Sequence, residues 1–382
     1  MVMAAAAMTP HDFTVFSLLI LVTFTSMGAV RAALFQPALI ETRSNKDAHV
    51  SAMSATVGAA SAGLFPVITA VVLETREPLW LLSIGITSML PVYVEWLRMR
   101  AMALDRRWDV AGGDVARLAA TVVCGAVLWV STDVVLFFVV VNISYLTTFV
   151  YLRHRLPAVS AHVSPRRLIG PASSQLADFL FGQAVSTVPL LVLGSMGPSS
   201  YIGGVRLAQT LLGPLNLVFA ASAYNLLSDS ATRQSHAGDA DLIAKGRRLA
   251  LALSALSLIL VPTLLCLLYL SGFGLRGVDN RSLVVGVALV GVLAITSGWA
   301  GIDTFVMRLL GHHAAPTVGR AVLVVASFGG YAAGYVLGGV DGSLVAGFIV
   351  AAVANPLVFV LPAVSIYRRH LTKDQAGGMV SS

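Results

Sequence analysis

Charge is what this chain has least of. Only 11% of its 382 residues are Asp, Glu, Lys or Arg, against about a quarter in a soluble domain. Lysine is nearly absent, the whole set being Lys46, Lys245 and Lys373. These are followed by Asp, Gly and Asp, so the Gly-Lys-Ser/Thr ending of a phosphate-binding loop does not occur and ATP hydrolysis in cis is excluded. Cysteine is limited to Cys124 and Cys266, both inside apolar runs and too few to frame a fold with disulfides. His312-His313 comes nearest to a ligand cluster, and a pair falls short of the ligand count of a zinc site. No grouping of nucleophile, base and orienting residue stands out, so the sequence predicts no enzyme, no metal and no cofactor.

What is abundant is apolar sequence, at 57% hydrophobic residues and a mean hydropathy of +0.84. A helix needs roughly 20 apolar residues to cross a hydrocarbon core of about 30 Å. Eleven such runs are placed at 13–33, 51–73, 78–97, 113–131, 133–152, 174–194, 202–226, 248–271, 282–307, 317–339 and 343–366. The expected fold is an all-α polytopic membrane bundle of about eleven transmembrane helices. The gap 31–50, the gaps before 113, 174, 248 and 317, and the C-terminal tail hold 21 of the 25 Lys and Arg. Arg76, Arg276 and Arg281 fall on the opposite side, and Arg206 lies within a run. Positive charge is retained in cytoplasmic loops. The arginine-rich side is therefore assigned to the cytoplasm, the C-terminus inside and the N-terminus outside, in a plasma (inner) membrane. No basic segment precedes 13–33, which reads as a retained span rather than a cleaved signal. The net charge of +7 is spread over six cytoplasmic segments. That excludes the single basic face of a nucleic-acid binder and suits membrane lipids as partners.

The gaps on the opposite side are short, the longest internal one being about ten residues at 272–281, which leaves no outer domain for sugar polymerisation. Prolines recur within or at the edges of spans, at 66, 91, 189, 214, 262, 356 and 362, where each removes a backbone hydrogen bond and kinks a helix. Gly330, Gly334 and Gly338 form a small-xxx-small face suited to tight helix packing. An internal repeat is also legible. Thr9-Pro10-His11-Asp12-Phe13 leads into one long span, and Gly197-Pro198-Ser199-Ser200-Tyr201 leads into another. Repeats of this kind build the two lobes of many transporters. The expected division is an N-terminal lobe of five spans at 1–152, a cytoplasmic linker at 153–173, a C-terminal lobe of six spans at 174–369 and a tail at 370–382. The N-terminal lobe is one helix short of its counterpart.

Several stretches carry a family resemblance. They are Arg31-Ala32-Ala33-Leu34, Leu97-Arg98-Met99-Arg100-Ala101, Asp105-Arg106-Arg107-Trp108, and Tyr201-Ile202-Gly203-Gly204-Val205-Arg206-Leu207-Ala208-Gln209 running into Gly213-Pro214. In these the chain resembles actinobacterial polysaccharide transporters of the multidrug/oligosaccharidyl-lipid/polysaccharide (MOP) flippase superfamily, which includes O-antigen and teichoic-acid exporters. The resemblance covers roughly residues 9–370. It implies two six-helix lobes around a V-shaped central cavity and movement of a lipid-linked oligosaccharide from the inner to the outer leaflet. This chain departs from that pattern by lacking the first helix. The expected partner is a polyprenyl-pyrophosphate-linked saccharide, with a glycan polymerase or glycosyltransferases as further partners. Two alternatives stand beside this one: a cation-coupled multidrug exporter of the same superfamily, and a non-transporting scaffold of a glycan-synthesis complex.

The polar residues inside spans are the candidate site. Pyrophosphate calls for a cation, and Arg206 is the only basic residue well inside a run. A guanidinium pairs with phosphate through two parallel hydrogen bonds, although Arg206 is near enough to the outer end to snorkel instead. Sugars call for neutral hydrogen-bonding groups, and Asn142, Gln183 and Asn216 lie mid-span in three helices; interhelical hydrogen bonding is their other reading. Asp178, Asp303 and Glu95 lie near the cytoplasmic ends of spans. They are candidates for carrying a coupling ion, with pairing to neighbouring arginines as the alternative.

Overall fold

The computed structural model describes residues 2–35, 37–38, 48–73, 77–104, 106–127, 133–157, 161–162, 165–196, 200–213, 215, 218–219, 222, 239–310, 312 and 314–380. They are almost entirely helical. In chain order the helices are α1 (Val2–Ala7), α2 (Pro10–Val30, continuing as a π-helix over Arg31–Phe35), α3 (Ala52–Val72), α4 (Pro78–Ala103), α5 (Arg107–Val127), α6 (Val134–Ile143) and α7 (Tyr145–Arg155). There follow α8 (Pro165–Ser186), α9 (Val188–Met196), α10 (Ser200–Leu211), α11 (Asp239–Ser271), α12 (Asn280–Leu309) and α13 (Ala314–Val380). Seven helical segments among the described residues are long and apolar enough to cross a membrane, and α8 with α9 adds an eighth if that bent pair is one span. The last of the seven is itself two helices, because Gly338 and Gly339 leave helical geometry and Gly339 takes φ +63°. The runs 317–339 and 343–366 are its two arms. The run 113–131 corresponds to α5, which begins at Arg107 and carries Asp109, Asp114 and Arg117. It is therefore more polar than the other spans. Of the run 202–226, α10 covers the first half, and Leu215, Val218, Phe219 and Ser222 in the second half are also helical.

The chain divides into two compact units, Met1–Gln183 and Ala184–Ser382, and the boundary falls within α8. In unit 1, α2 with its π-helical extension is the best-buried of the candidate spans, at 67% of its window. Its start follows from local chemistry. The Thr9 side chain accepts a hydrogen bond from the Asp12 N–H, with Pro10 in the first turn, which satisfies a donor the helix leaves free. Of the matching anchor, residues 197–199 lie outside the described residues. At one end of unit 1 the basic gaps meet. Ala48–His49 pairs in parallel with Ala161–His162, Arg100 Nη2 donates to the Pro157 carbonyl at 2.7 Å, Arg106 Nη1 donates to the Arg155 carbonyl at 2.6 Å, and the Trp96 indole donates to the Val50 carbonyl at 3.0 Å. Three gaps that charge asymmetry assigns to one side of the membrane are thus in physical contact.

In unit 2, α10 and α12 cross backbone to backbone. A Cβ on Gly204 would come within 2.0 Å of the Ser282 carbonyl oxygen, and one on Gly286 within 2.4 Å of Gly204, so glycine is required at both places. The arms of α13 fold back on one another about the same chemistry. Gly330 faces Val350 and Ala346, and Gly334 faces Gly342 and Ala346. Gly338 departs from the predicted packing face: a Cβ there would meet nothing within 4 Å, because this residue makes the turn. Pro189 leaves the Val185 carbonyl without its helical N–H, and the chain bends by 41° between α8 and α9. The Tyr331 hydroxyl donates to that carbonyl at 3.2 Å, replacing the partner the proline removed. The end of the gap placed before 248 is helical, since α11 starts at Asp239. Charged residues end the apolar run there without ending the helix.

Candidate functional site

Glu95 lies near the end of α4 and is 4% exposed. Its carboxylate faces Arg31 Nη1 at 3.4 Å and Arg98 Nη1 at 3.6 Å, and Arg98 reaches on to Asp114 at 3.1 Å. Arg117 lies over the Tyr145 ring at 4.4 Å. The π-helical turn after α2 positions Arg31, and the i,i+3 spacing along α4 positions Arg98. Burial of a carboxylate costs several kcal/mol unless it is paired in this way, so the chain Arg31–Glu95–Arg98–Asp114 holds itself.

The amides of unit 1 do not converge through any hydrogen bond described. Asn142 is 1% exposed and its Nδ2 donates to the Phe138 carbonyl one turn back in α6 at 3.1 Å. Gln183 Oε1 accepts from the Thr25 hydroxyl of α2 at 3.4 Å. Asn216 lies outside the described residues. So does the side chain of Asp178, whose backbone belongs to α8.

Unit 2 presents two buried ions with neutral hydrogen-bond partners. Arg206, on α10 two residues beyond the Gly204 crossing, is 8% exposed. Its Nη1 donates to Gln209 Oε1 in the next turn, and its Nε is buried without an acceptor. No carboxylate lies within ion-pair distance among the described residues. Asp303, on α12, is 2% exposed and accepts a hydrogen bond from the Tyr367 hydroxyl at 2.8 Å. Trp299, one turn earlier, also hydrogen-bonds to it, and Arg247 is within electrostatic reach while lying over the Tyr367 ring at 5.4 Å. These groups sit in an apolar cluster of Ile243, Leu253, Ile302, Val306 and Ala363. Arg206 and Asp303 share no contact.

Three residues of consequence were not among the sequence candidates. Asn355 is 4% exposed and its Nδ2 donates to the Ser297 hydroxyl at 2.8 Å. It is a mid-span amide and meets the criterion that singled out Asn142. Tyr367 is the partner of Asp303, and a phenol near a basic tail gives no sequence signal for that role. Arg100 reads from sequence as one more basic-gap residue, yet it is 3% exposed.

No family model and no curated protein matches the chain. Two solved structures do. One is the inward-facing conformation of a multidrug resistance MATE family transporter of the MOP superfamily, with a TM-score of 0.64 at 11% identity, covering 96% of this chain and 93% of that one. The other is a MATE in the bent conformation, with a TM-score of 0.57 at 10% identity, covering 95% of this chain and 89% of that one. At these identities the likeness is one of fold, and the fold of this polytopic helical chain is that of the MATE transporters.

Proposed function

We propose that this protein is a membrane exporter that moves a pyrophosphate-bearing, lipid-linked saccharide from the inner to the outer leaflet. The observation that carries the reading is Arg206. A guanidinium in an apolar span, turned away from the surface and held by a single neutral amide, is a cation lacking an anion. Its planar fork suits two phosphate oxygens at once. A substrate phosphate would supply the missing charge while it is bound, and its departure would restore the unfavourable state. Asn142, Gln183 and Asn216 are proposed as sugar contacts, each contributing only about 0.5–1.5 kcal/mol net. Asp303 is the coupling-ion candidate with the most support, because its hydrogen-bond partners are neutral and no arginine forms an ion pair with it among the described residues. Glu95 is proposed in that role with less support, since two arginines already balance it, and Asp178 rests on sequence alone. The lobe division, cytoplasmic arginine-rich side and inner-membrane location belong to the same proposal.

A second reading, multidrug export, is favoured by the likeness in fold to a multidrug resistance MATE family transporter and by a buried carboxylate at Asp303 that suits a cationic substrate. Export measured in cells at matched protein levels separates the two. On the saccharide reading, Arg206→Ala nearly abolishes glycan export and Arg206→Lys reduces it in part, because lysine keeps the charge and loses the fork. Full glycan export by Arg206→Ala would sink the assignment. Loss of drug resistance in Asp303→Asn, with glycan export untouched, would favour the second reading.

A further inference from the structure

We propose that the basic end of unit 1 binds an anionic phospholipid through its headgroup phosphate, with Arg100 as the central ligand. This rests on unit 1 alone and is independent of the transported substrate.

Arg100 is 3% exposed. Its guanidinium lies 5.4 Å from the centre of the Trp96 ring, its Nη2 donates to the Pro157 carbonyl, and its Nε–H is buried with no acceptor. The described acids nearby are engaged elsewhere: Glu95 with Arg31 and Arg98, Asp114 with Arg98, and Asp109 with Arg106. The charged group that does act on Arg100 is Arg153, which has the same sign. A buried cation whose ionic neighbour repels it is costly, and among the described residues no carboxylate is paired with it to offset that cost. An anion from outside the chain would offset it.

Depth and composition name the anion. Arg100 falls in the last turn of the apolar span Pro78–Met102, the level at which a bilayer gives way to headgroups. Trp96 stands one turn before it, and Trp108, 89% exposed, stands just beyond, both of the type that seats at the membrane interface. Among the described residues at this end, arginines 31, 98, 100, 106, 117, 153 and 155 outnumber acids 95, 109 and 114. That surplus favours a headgroup with net negative charge and repels the choline of a zwitterionic one. The Arg100 Nε–H, which has no acceptor, is the donor left for a phosphate oxygen, and such charge-assisted hydrogen bonds are the strong ones.

The test uses the full chain in nanodiscs of phosphatidylcholine alone or with phosphatidylglycerol in a roughly three-to-one mixture, reading retained lipid by native mass spectrometry and unfolding temperature in parallel. The wild type should retain phosphatidylglycerol preferentially and unfold at a higher temperature in the mixture. Arg100→Gln should weaken the preference by about ten-fold or more, and Arg153→Gln by about five-fold, the effect of one arginine at a headgroup surface. Arg153 is exposed, so its variant carries the test if Arg100→Gln does not fold. A third arm adds inorganic phosphate to phosphatidylcholine nanodiscs. Stabilisation there without any phosphatidylglycerol preference would overturn the lipid assignment in favour of a soluble anion. Equal lipid retention and equal unfolding in both nanodiscs for wild type and both variants would show that Arg100 only ties α4 to Pro157, and would overturn the site.

Discussion

The two units bury their ions in opposite ways. In unit 1, Glu95 sits between Arg31 and Arg98, and Arg98 continues to Asp114, so most of the buried charge is balanced by groups of the same unit. In unit 2, Arg206 is held by Gln209 and Asp303 by Tyr367 and Trp299, all neutral, with Arg247 within electrostatic reach of Asp303 alone. Burial alone therefore does not separate a structural ion from a functional one. The useful quantity is the charge left over once every partner is counted; among the described buried ions it is greatest at Arg206 in unit 2 and, in unit 1, confined to Arg100.

That contrast can be tested by stability. The largest loss is expected for Glu95→Gln, which takes the carboxylate from Arg31 and leaves Arg98 with Asp114 alone. Removing one partner of a buried ion set costs on the order of 3 kcal/mol, somewhat less here because both arginines are partly exposed. Thermal unfolding in detergent would read it, and an unchanged midpoint would show that the network contributes nothing. Tyr367→Phe comes next, at about 1.5–3 kcal/mol, the usual worth of a hydrogen bond to a charged group; a loss under half that would mean that Trp299 and Arg247 suffice for Asp303. Tyr331→Phe should cost about 1 kcal/mol by leaving the Val185 carbonyl without a donor, and should also increase amide exchange around residues 185–189. The smallest change is expected for Arg206→Gln. Removing a desolvated cation with no counterion should leave stability within about 0.5 kcal/mol of wild type or raise it, even as glycan export collapses. If Arg206→Gln proved as destabilising as Glu95→Gln, the distinction between the units would fail.

Some of this was legible in the residues. Apolar runs located the spans, and Gly330 and Gly334 announced the close contact that the α13 arms make. Glu95 and Asp303 stood out because charge inside a span is rare. The rest depended on groups distant in sequence. Glu95 is joined to Arg31 across 64 positions, and Asp303 to Tyr367 across 64 as well, and neither pair has a local signature. Gly338 fell on the right face by spacing and turned out to be a bend, since periodicity is blind to where a helix reverses. The carbonyl left free by Pro189 was foreseeable from the proline, whereas Tyr331 as its replacement donor was not.

By itself the sequence determined that the chain is helical and crosses a membrane, because an apolar medium forces each segment to satisfy its own backbone hydrogen bonds. Which face of each span meets protein was decided only by the tertiary structure. The spans Pro10–Phe35 and Ala240–Ser271 have mean hydropathies of 2.0 and 2.5, yet 67% of one window and 22% of the other are buried within the protein. Lipid tails are as apolar as a packed leucine, so composition cannot distinguish a helix surrounded by helices from one that faces the bilayer.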